Sequence, residues 1–156
     1  MKVPATSTSV STASVDETVE LGRRLGRILE PGDVIALEGE LGTGKTELIK
    51  GIAEALGVSS GVHSPTFVLH HRYRGRLPIE HYDLYRLEGM AWVDTGLDEP
   101  AADAVTLIEW PERATVLDDW ATTWIRLTTQ GPTRRQLTFI RGPERIRAVF
   151  DHAPRD

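Results

Sequence analysis

The sequence predicts one α/β domain in which helices flank a sheet of mixed parallel and antiparallel strands. Three observations predict it: short apolar runs that alternate with helical patterns, a glycine-rich loop between one such run and one such helix, and two pairs of runs joined by short turns. A chain of 156 residues has room for one sizeable hydrophobic core. We therefore expect a single domain over residues 14–151, with tails at 1–13 and 152–156.

The N-terminal segment consists mostly of small and hydroxylated residues. "PATSTSVSTAS" (4–14) favours a flexible tail, or at most an edge strand. A helix is expected from Ser14, because "SVDE" has the Ser-x-x-Glu spacing of a capping box. Pro31 and Gly32 end this helix. Its apolar residues recur at helical spacing: Val15, Val19, Leu25, Ile28 and Leu29.

A strand, a loop and a second helix follow in that order. "DVIALE" (33–38) is an apolar run rich in branched residues and bounded by turn formers, as expected of a buried strand. "KTELIKGIAEAL" (45–56) places its apolar side chains on one helical face, and Gly57 is typical of a helix end.

The rest of the chain predicts two antiparallel hairpins with a buried strand between them. "TFVLHHRY" (66–73) and "LPIEHYDLY" (77–85) form the first hairpin, and "TWIRLTT" (123–129) and "RQLTFIR" (135–141) form the second. "AVTLIEW" (104–110) is the buried strand. The acidic segment 88–103 favours a helical turn and a loop.

Composition excludes several classes of protein. The net charge of −5 argues against general affinity for nucleic acid, and the absence of cysteine excludes disulfides, thiolate metal sites and cysteine nucleophiles. No apolar run approaches the roughly 20 residues that cross a bilayer. We expect a cytoplasmic protein that contacts neither membrane nor DNA.

The glycine-rich loop carries the strongest motif. Gly39, Gly44, Lys45 and Thr46 fit G-x-x-x-x-G-K-[ST], a pattern for which this composition predicts roughly 0.003 chance matches. Its position between a buried strand and a helix is typical of a P-loop NTPase-type sheet, in which loop N–H groups and the helix N-terminus face phosphate oxygens. Lys45 is expected to bridge the β- and γ-phosphates, and the Thr46 hydroxyl to bind Mg²⁺. The expected nucleotide contacts run along the loop: Gly39, Glu40, Leu41, Gly42, Thr43, Gly44, Lys45 and Thr46.

Within that loop, Glu40 is expected to direct its side chain to solvent, because a carboxylate is unfavourable beside phosphate.

Two carboxylates are candidates for the metal and for catalysis. Glu109 ends the buried run "AVTLIE", where it can reach Mg²⁺ directly or through water. Asp83 ends "IEHYD", on the same strand face as Ile79 and His81. Asp83 is a candidate to contact the metal, the attacking water or the loop. For both acids, a strand-end carboxylate that caps the next turn is the alternative.

The segment "HSPTF" (63–67) offers two hydroxyls. Ser64 and Thr66 flank Pro65 between the phosphate-loop helix and the first hairpin, where many P-loop proteins sense the γ-phosphate. We expect Ser64 to contact the nucleotide and Thr66 to hold a phosphate oxygen or the attacking water. A plain turn into a strand is the alternative.

Four motifs taken together resemble the TsaE (YjeE) family of small bacterial ATPases. They are "GELGTGKT" (39–46), "SPTF" (64–67), "HYDLYR" (81–86) and "IEWPE" (108–112), and the resemblance covers roughly residues 14–130. The phosphate loop is generic, whereas "HYDLYR" followed by "EWP" is specific. The family works in threonylcarbamoyl modification of the adenosine next to the anticodon of tRNA.

The resemblance implies roles for individual residues. The loop would bind ATP, Thr46 and Glu109 would hold Mg²⁺, and Asp83 would be needed for ATP turnover. Ser14 and Val15 would lie near the adenine. Members of the family bind the TsaB and TsaD proteins, and their ATP hydrolysis resets that threonylcarbamoyl-transfer complex. Contact with tRNA would then be only indirect.

Two other classes share the loop. A small-molecule kinase would use Asp83 as a base toward a substrate hydroxyl, but the chain has no obvious arginine-bearing lid insertion. A GTPase-type switch would need the Asn-Lys-x-Asp guanine reader, and the chain contains no asparagine. The resemblance therefore makes an ATPase that acts on a protein complex the leading hypothesis, and the acidic net charge suits a protein partner better than naked RNA.

Overall fold

The computed structural model describes residues 8–59, 70–85, 87, 99–114, 117–121 and 123–152. Within them, seven strands form one sheet: β1 (Thr8–Thr12), β2 (Val34–Glu38), β3 (His70–Tyr73), β4 (Ile79–Asp83), β5 (Val105–Glu109), β6 (Thr123–Thr129) and β7 (Arg135–Arg141). The helices are α1 (Val15–Ile28), α2 (Lys45–Ala55), α3 (Leu117–Trp120) and α4 (Glu144–Asp151), with a 3₁₀ turn at Pro111–Arg113.

The sheet is mixed, as the sequence predicts. The strand order is β1-β7-β6-β2-β5-β4-β3. β6, β2, β5 and β4 are parallel to one another, and the outer pairs β1/β7, β6/β7 and β3/β4 are antiparallel. Both predicted hairpins are confirmed over these strands. β2 lies in the middle of the sheet, so the loop that follows it opens at the carboxyl edge of the parallel strands, where α/β proteins bind ligands.

The described part of the N-terminal segment forms the edge strand that the sequence offered as the alternative to a flexible tail over 1–13. Thr8–Thr12 form the edge strand β1, which pairs with β7 and sets Val10 opposite Leu137. Val10 is only 4% exposed because alternation turns it toward the core, and the hydroxyls of Ser9 and Thr138 lie 2.9 Å apart. The domain therefore begins before residue 14. Hydroxylated residues suit an edge strand that is half exposed.

The first two helices pack at very short range. A Cβ added at Gly51 would lie 2.0 Å from the Val19 carbonyl oxygen, and one at Gly22 would lie 2.2 Å from that of Leu48. Glycine at these two positions is thus required by the close approach of the backbones. The packing brings the N-terminus of α1 beside the loop that precedes α2.

The predicted cap of α1 is confirmed. Ser14 is the N-cap, and its Oγ accepts a hydrogen bond from the Glu17 N–H at 3.1 Å. The Glu17 carboxylate accepts from the Ala13 N–H in return. Two otherwise unpaired backbone donors are satisfied in this way.

The core lies on both faces of the sheet. α1, α2 and α4 cover the first face, where every apolar position predicted for α2 is buried: Leu48, Ile49, Ile52, Ala53 and Leu56. Trp110, Trp120 and Trp124 lie in the cluster on the second face. The sequence patterns above do not predict α4, which buries Ile146 and Phe150. Across the described residues, no helix is long and apolar enough to span a bilayer.

Candidate phosphate-binding site

The loop from Gly39 to Gly44 has the backbone of a phosphate-binding turn. Gly42 and Gly44 have φ values of 78° and 98°, a left-handed conformation that other residues rarely adopt. The Thr43 hydroxyl donates to the Glu40 carbonyl at 2.8 Å and closes the turn. Among the described residues, no side chain caps the N-terminus of α2, so the N–H groups of its first turn and the positive end of the helix dipole are left for a ligand at the loop.

Lys45 lies under this loop. It is 5% exposed, and its ammonium donates to the Gly39 carbonyl. Its Nζ also lies 4.1 Å from the centre of the Trp110 ring, within the range of a cation–π contact. Burial lowers the pKa of Lys45, and the negative charges of Glu109 and Asp83 oppose that decrease. The lysine is therefore a buried cation held in place by carbonyl, ring and carboxylates.

The two candidate carboxylates are neighbours in the sheet. Asp83 and Glu109 are paired in the parallel register of β4 and β5, and both are buried. The Asp83 Oδ1 accepts from the Tyr85 N–H at 3.0 Å, so Asp83 also caps the turn after β4. Glu109 Oε2 lies 2.7 Å from His81 Nε2. Each carboxylate thus has a partner that limits its rotation.

These groups line one open cleft. Lys45, Thr46, Asp83 and Glu109 share a cavity of about 320 Å³ with the loop glycines. All four are predicted from the sequence, and the structure brings them together in this cleft. The cleft offers a cation, a hydroxyl and two carboxylates at the N-terminus of a helix, which is the chemistry that a phosphorylated ligand with a divalent cation requires.

The donor set fits Mg²⁺. Magnesium prefers oxygen ligands and takes one or two carboxylates together with phosphate and water, rather than a complete protein cage. Within the part of the chain that the structure describes, no group of three or more His, Cys, Asp or Glu residues could hold a metal ion alone. The Thr46 hydroxyl and the Asp83 and Glu109 carboxylates instead offer a partial set of oxygens.

Trp110 forms the wall of the cleft. Its φ is 60° and its ψ is 49°, and among the described residues it is the only non-glycine with a positive φ. This conformation turns the chain sharply after Glu109, and Pro111 then begins the 3₁₀ turn. The Trp110 ring lies 5.0 Å from that of Tyr85, and the Arg113 guanidinium lies 5.5 Å from the Trp110 ring.

A second cleft of about 330 Å³ adjoins the loop on the side of α1. Ser14 and Val15 line it, so both residues lie beside the loop, and their proximity to the adenine stays a prediction. Val15 is 63% exposed and does not belong to the buried face of α1, although its spacing fits that face. Arg135 crosses from β7 and donates to the Gly42 carbonyl at 3.2 Å and to that of Gly131 at 3.0 Å.

Arg135 is a site residue that the sequence reasoning missed. No motif spacing marks it, because it lies 93 positions from its partner Gly42. Ser64 and Thr66 lie outside the described residues, and their role stays a prediction. The Glu40 side chain is exposed, as expected.

The fold and the loop geometry define this chain as a P-loop NTPase-type α/β protein. A comparison with protein families agrees and is more specific: the model described as "Threonylcarbamoyl adenosine biosynthesis protein TsaE" matches residues 12–137. The chain therefore belongs to the TsaE family, whose role is in tRNA threonylcarbamoyladenosine biosynthesis.

Curated relatives named tRNA threonylcarbamoyladenosine biosynthesis protein TsaE are similar to the chain. The Streptomyces coelicolor protein is 46% identical over 60% of this chain and 66% of its own length. The Treponema pallidum protein is 39% identical over 80% of this chain and 94% of its own length. The Bacillus subtilis protein is 44% identical over 64% of this chain and 63% of its own length. The match thus spans less than two thirds of the Streptomyces and Bacillus relatives.

A solved structure shows the same fold. The crystal structure of Bacillus subtilis YdiB superposes with a TM-score of 0.72 at 28% identity, covering 98% of this chain and 96% of that one.

Proposed function

We propose that this chain binds ATP with Mg²⁺ and hydrolyses it to drive turnover of the TsaB–TsaD threonylcarbamoyl-transfer complex. The observation that carries the proposal is the convergence of Lys45, Asp83 and Glu109 on one cleft at the N-terminus of α2. Membership of the TsaE family supplies the pathway.

Binding rests on the loop and on Lys45. The N–H groups of the loop and of the first turn of α2 donate to the phosphate oxygens, and the helix dipole adds to the attraction. Lys45 is a buried cation whose pKa is already lowered by burial. A phosphate anion gives it a charged partner and offsets that cost.

Thr46 and Glu109 are the residues that would hold Mg²⁺. The ion, when bound, neutralises negative charge on the β- and γ-phosphate oxygens. Asp83 acts in turnover, where its buried carboxylate orients the attacking water or the metal. Ser64 would contact the nucleotide, and the Thr66 hydroxyl would hold a γ-phosphate oxygen or the attacking water. Ser14 and Val15 would lie near the adenine base of ATP.

The partner is a protein complex rather than naked RNA. A net charge of −5 disfavours direct contact with the tRNA backbone, so tRNA is reached only through TsaB–TsaD. Hydrolysis then changes the affinity of the chain for its partner and resets the complex, because a nucleotide can shift an equilibrium only through differential binding.

The test is the rate of ADP formation from ATP with Mg²⁺, measured for the chain alone and with the TsaB–TsaD pair. Slow turnover alone and a marked rise with the pair are expected. Lys45→Ala in the same mixture should abolish the rise, whereas Lys50→Ala, an exposed lysine on the same helix, should not. A rise only with a small hydroxylated metabolite would show a kinase instead.

A further inference from the structure

His81 is a fully buried histidine in the middle of β4. It is 0% exposed, and its Nε2 lies 2.7 Å from Glu109 Oε2. Its other ring nitrogen, Nδ1, is also buried and has no hydrogen-bond partner within the described part of the chain. The ring thus makes its one described hydrogen bond to a carboxylate of the candidate site.

The direction of this hydrogen bond follows from its partners. A carboxylate that binds Mg²⁺ only accepts hydrogen bonds, so in the Mg²⁺-binding state His81 would donate from Nε2 to Glu109. Because the ring is fully buried, this hydrogen bond restricts the position of Glu109 Oε2.

Apolar residues enclose the pair. Strand alternation sets His81 on the same face as Ile79, and the register places it beside Leu107. Ile79 and Leu107 are 0% exposed, and the Tyr73 ring lies 6.0 Å from the imidazole. The imidazole side of the hydrogen bond is therefore shielded from water, which makes the bond stronger and its geometry more fixed.

Stability alone does not account for a histidine here. A buried imidazole with one nitrogen unpaired loses hydration that its single hydrogen bond only partly replaces. Leucine would fill a similar space among Ile79 and Leu107 without that cost. What a histidine provides at this position, and leucine would not, is the hydrogen bond to the Glu109 carboxylate.

We propose that His81 is a positioning residue that orients the Glu109 carboxylate for the Mg²⁺ of the nucleotide complex. The inference rests on the proposed function. Glu109 is bound by a side chain that can be replaced, so its orientation can be tested by substitution of His81. Replacement of a group that hydrogen-bonds to a metal ligand typically lowers metal affinity by about 10- to 100-fold.

The test compares His81→Leu with His81→Gln, whose amide retains a donor. Binding of a fluorescent ATP analogue is measured in EDTA and then over a Mg²⁺ titration. In EDTA both variants should bind as the wild type does. The Mg²⁺ concentration for half-maximal tightening should rise about tenfold or more in His81→Leu and return toward the wild-type value in His81→Gln.

Ile146→Ala is the matched control, because it removes a fully buried core side chain of α4, an element that does not carry the His81–Glu109 pair. It should lower the melting temperature and leave the Mg²⁺ dependence unchanged. An unchanged Mg²⁺ dependence in His81→Leu, or an equal shift in Ile146→Ala, would overturn the inference.

If His81→Leu does not fold, His81→Asn replaces it, since its shorter amide does not reach Glu109. A half-maximal Mg²⁺ concentration about tenfold higher in His81→Asn than in His81→Gln would support the inference. Equal values in the two variants would overturn it. Wild-type binding that does not respond to Mg²⁺ would instead overturn the proposed function itself.

Discussion

The Nζ atom of Lys45 lies 4.1 Å from the centre of the Trp110 ring, so the phosphate loop and the turn after β5 are in direct contact. Trp110 follows Glu109 immediately and adopts a left-handed conformation that turns its ring over the lysine. The contact places a cation, a ring and a carboxylate within one small cleft. A change at any of these groups should therefore affect the others.

Lys45→Ala should weaken ATP binding by about 10- to 100-fold, because it removes a charge-assisted hydrogen bond worth roughly 1.5–3 kcal/mol. Titration calorimetry with ATP and Mg²⁺ measures the loss. Lys50→Ala is the control, since Lys50 lies exposed on the same helix. Equal affinities in the two variants would mean that Lys45 has a structural role only.

Gly51→Ala should destabilise the fold by about 1–3 kcal/mol, because the added Cβ would lie 2.0 Å from the Val19 carbonyl oxygen. Alanine has a higher helix propensity than glycine, which stabilises α2 by about 1 kcal/mol. This gain is smaller than the cost of a steric clash at the upper end of the range, about 3 kcal/mol. Urea denaturation measures the change, with Lys50→Ala as the control in the same helix. A midpoint at or above that of the wild type would contradict the close packing of α1 on α2.

Glu112→Gln should raise the melting temperature at pH 7. The Glu112 residue is exposed overall, but partial desolvation of its carboxyl raises the pKa above 4.5, and the nearby charge of Glu38 adds to the increase. Between pH 4.5 and the raised pKa the folded chain binds more protons than the unfolded chain, so stability decreases as the pH rises through this window. At pH 7 the charged carboxylate thus costs stability.

Melting curves of Glu112→Gln from pH 4 to pH 7 test this expectation. The gain should be present at pH 7 and shrink as the pH falls toward 4.5. The exposed Glu99 provides the control substitution, Glu99→Gln. A gain that grows at low pH would contradict the assigned direction.

Local patterns predict much of this fold. The strand, loop and helix around Lys45 follow from apolar spacing and one motif, and both hairpins follow from strand-like runs with short turns. β1 is harder to predict because its hydroxylated residues also suit a tail. α4 is short and has no side-chain cap at Pro143, so its sequence carries few helix signals.

Contacts between distant residues lie beyond such patterns. The hydrogen bond between His81 and Glu109 joins positions 28 apart and depends on the register of β4 against β5. Arg135 reaches Gly42 because β7 folds back along β6 at the edge near the loop. The site residues themselves can be predicted from sequence motifs. The residues that orient them can be identified only when the strand order and register are known.

The most direct test of the proposed ATPase site is Asp83→Asn, measured for both binding and turnover of ATP in the presence of TsaB–TsaD. ATP affinity should stay within about threefold of the wild type, while ADP formation should fall at least about 100-fold, as expected for loss of a group that acts on the attacking water or the metal. Asp103→Asn, which changes a carboxylate that is 72% exposed, should leave both unchanged. Loss of ATP binding in Asp83→Asn, or unchanged ADP formation, would show that Asp83 only caps the turn at Tyr85 and would contradict the proposed site.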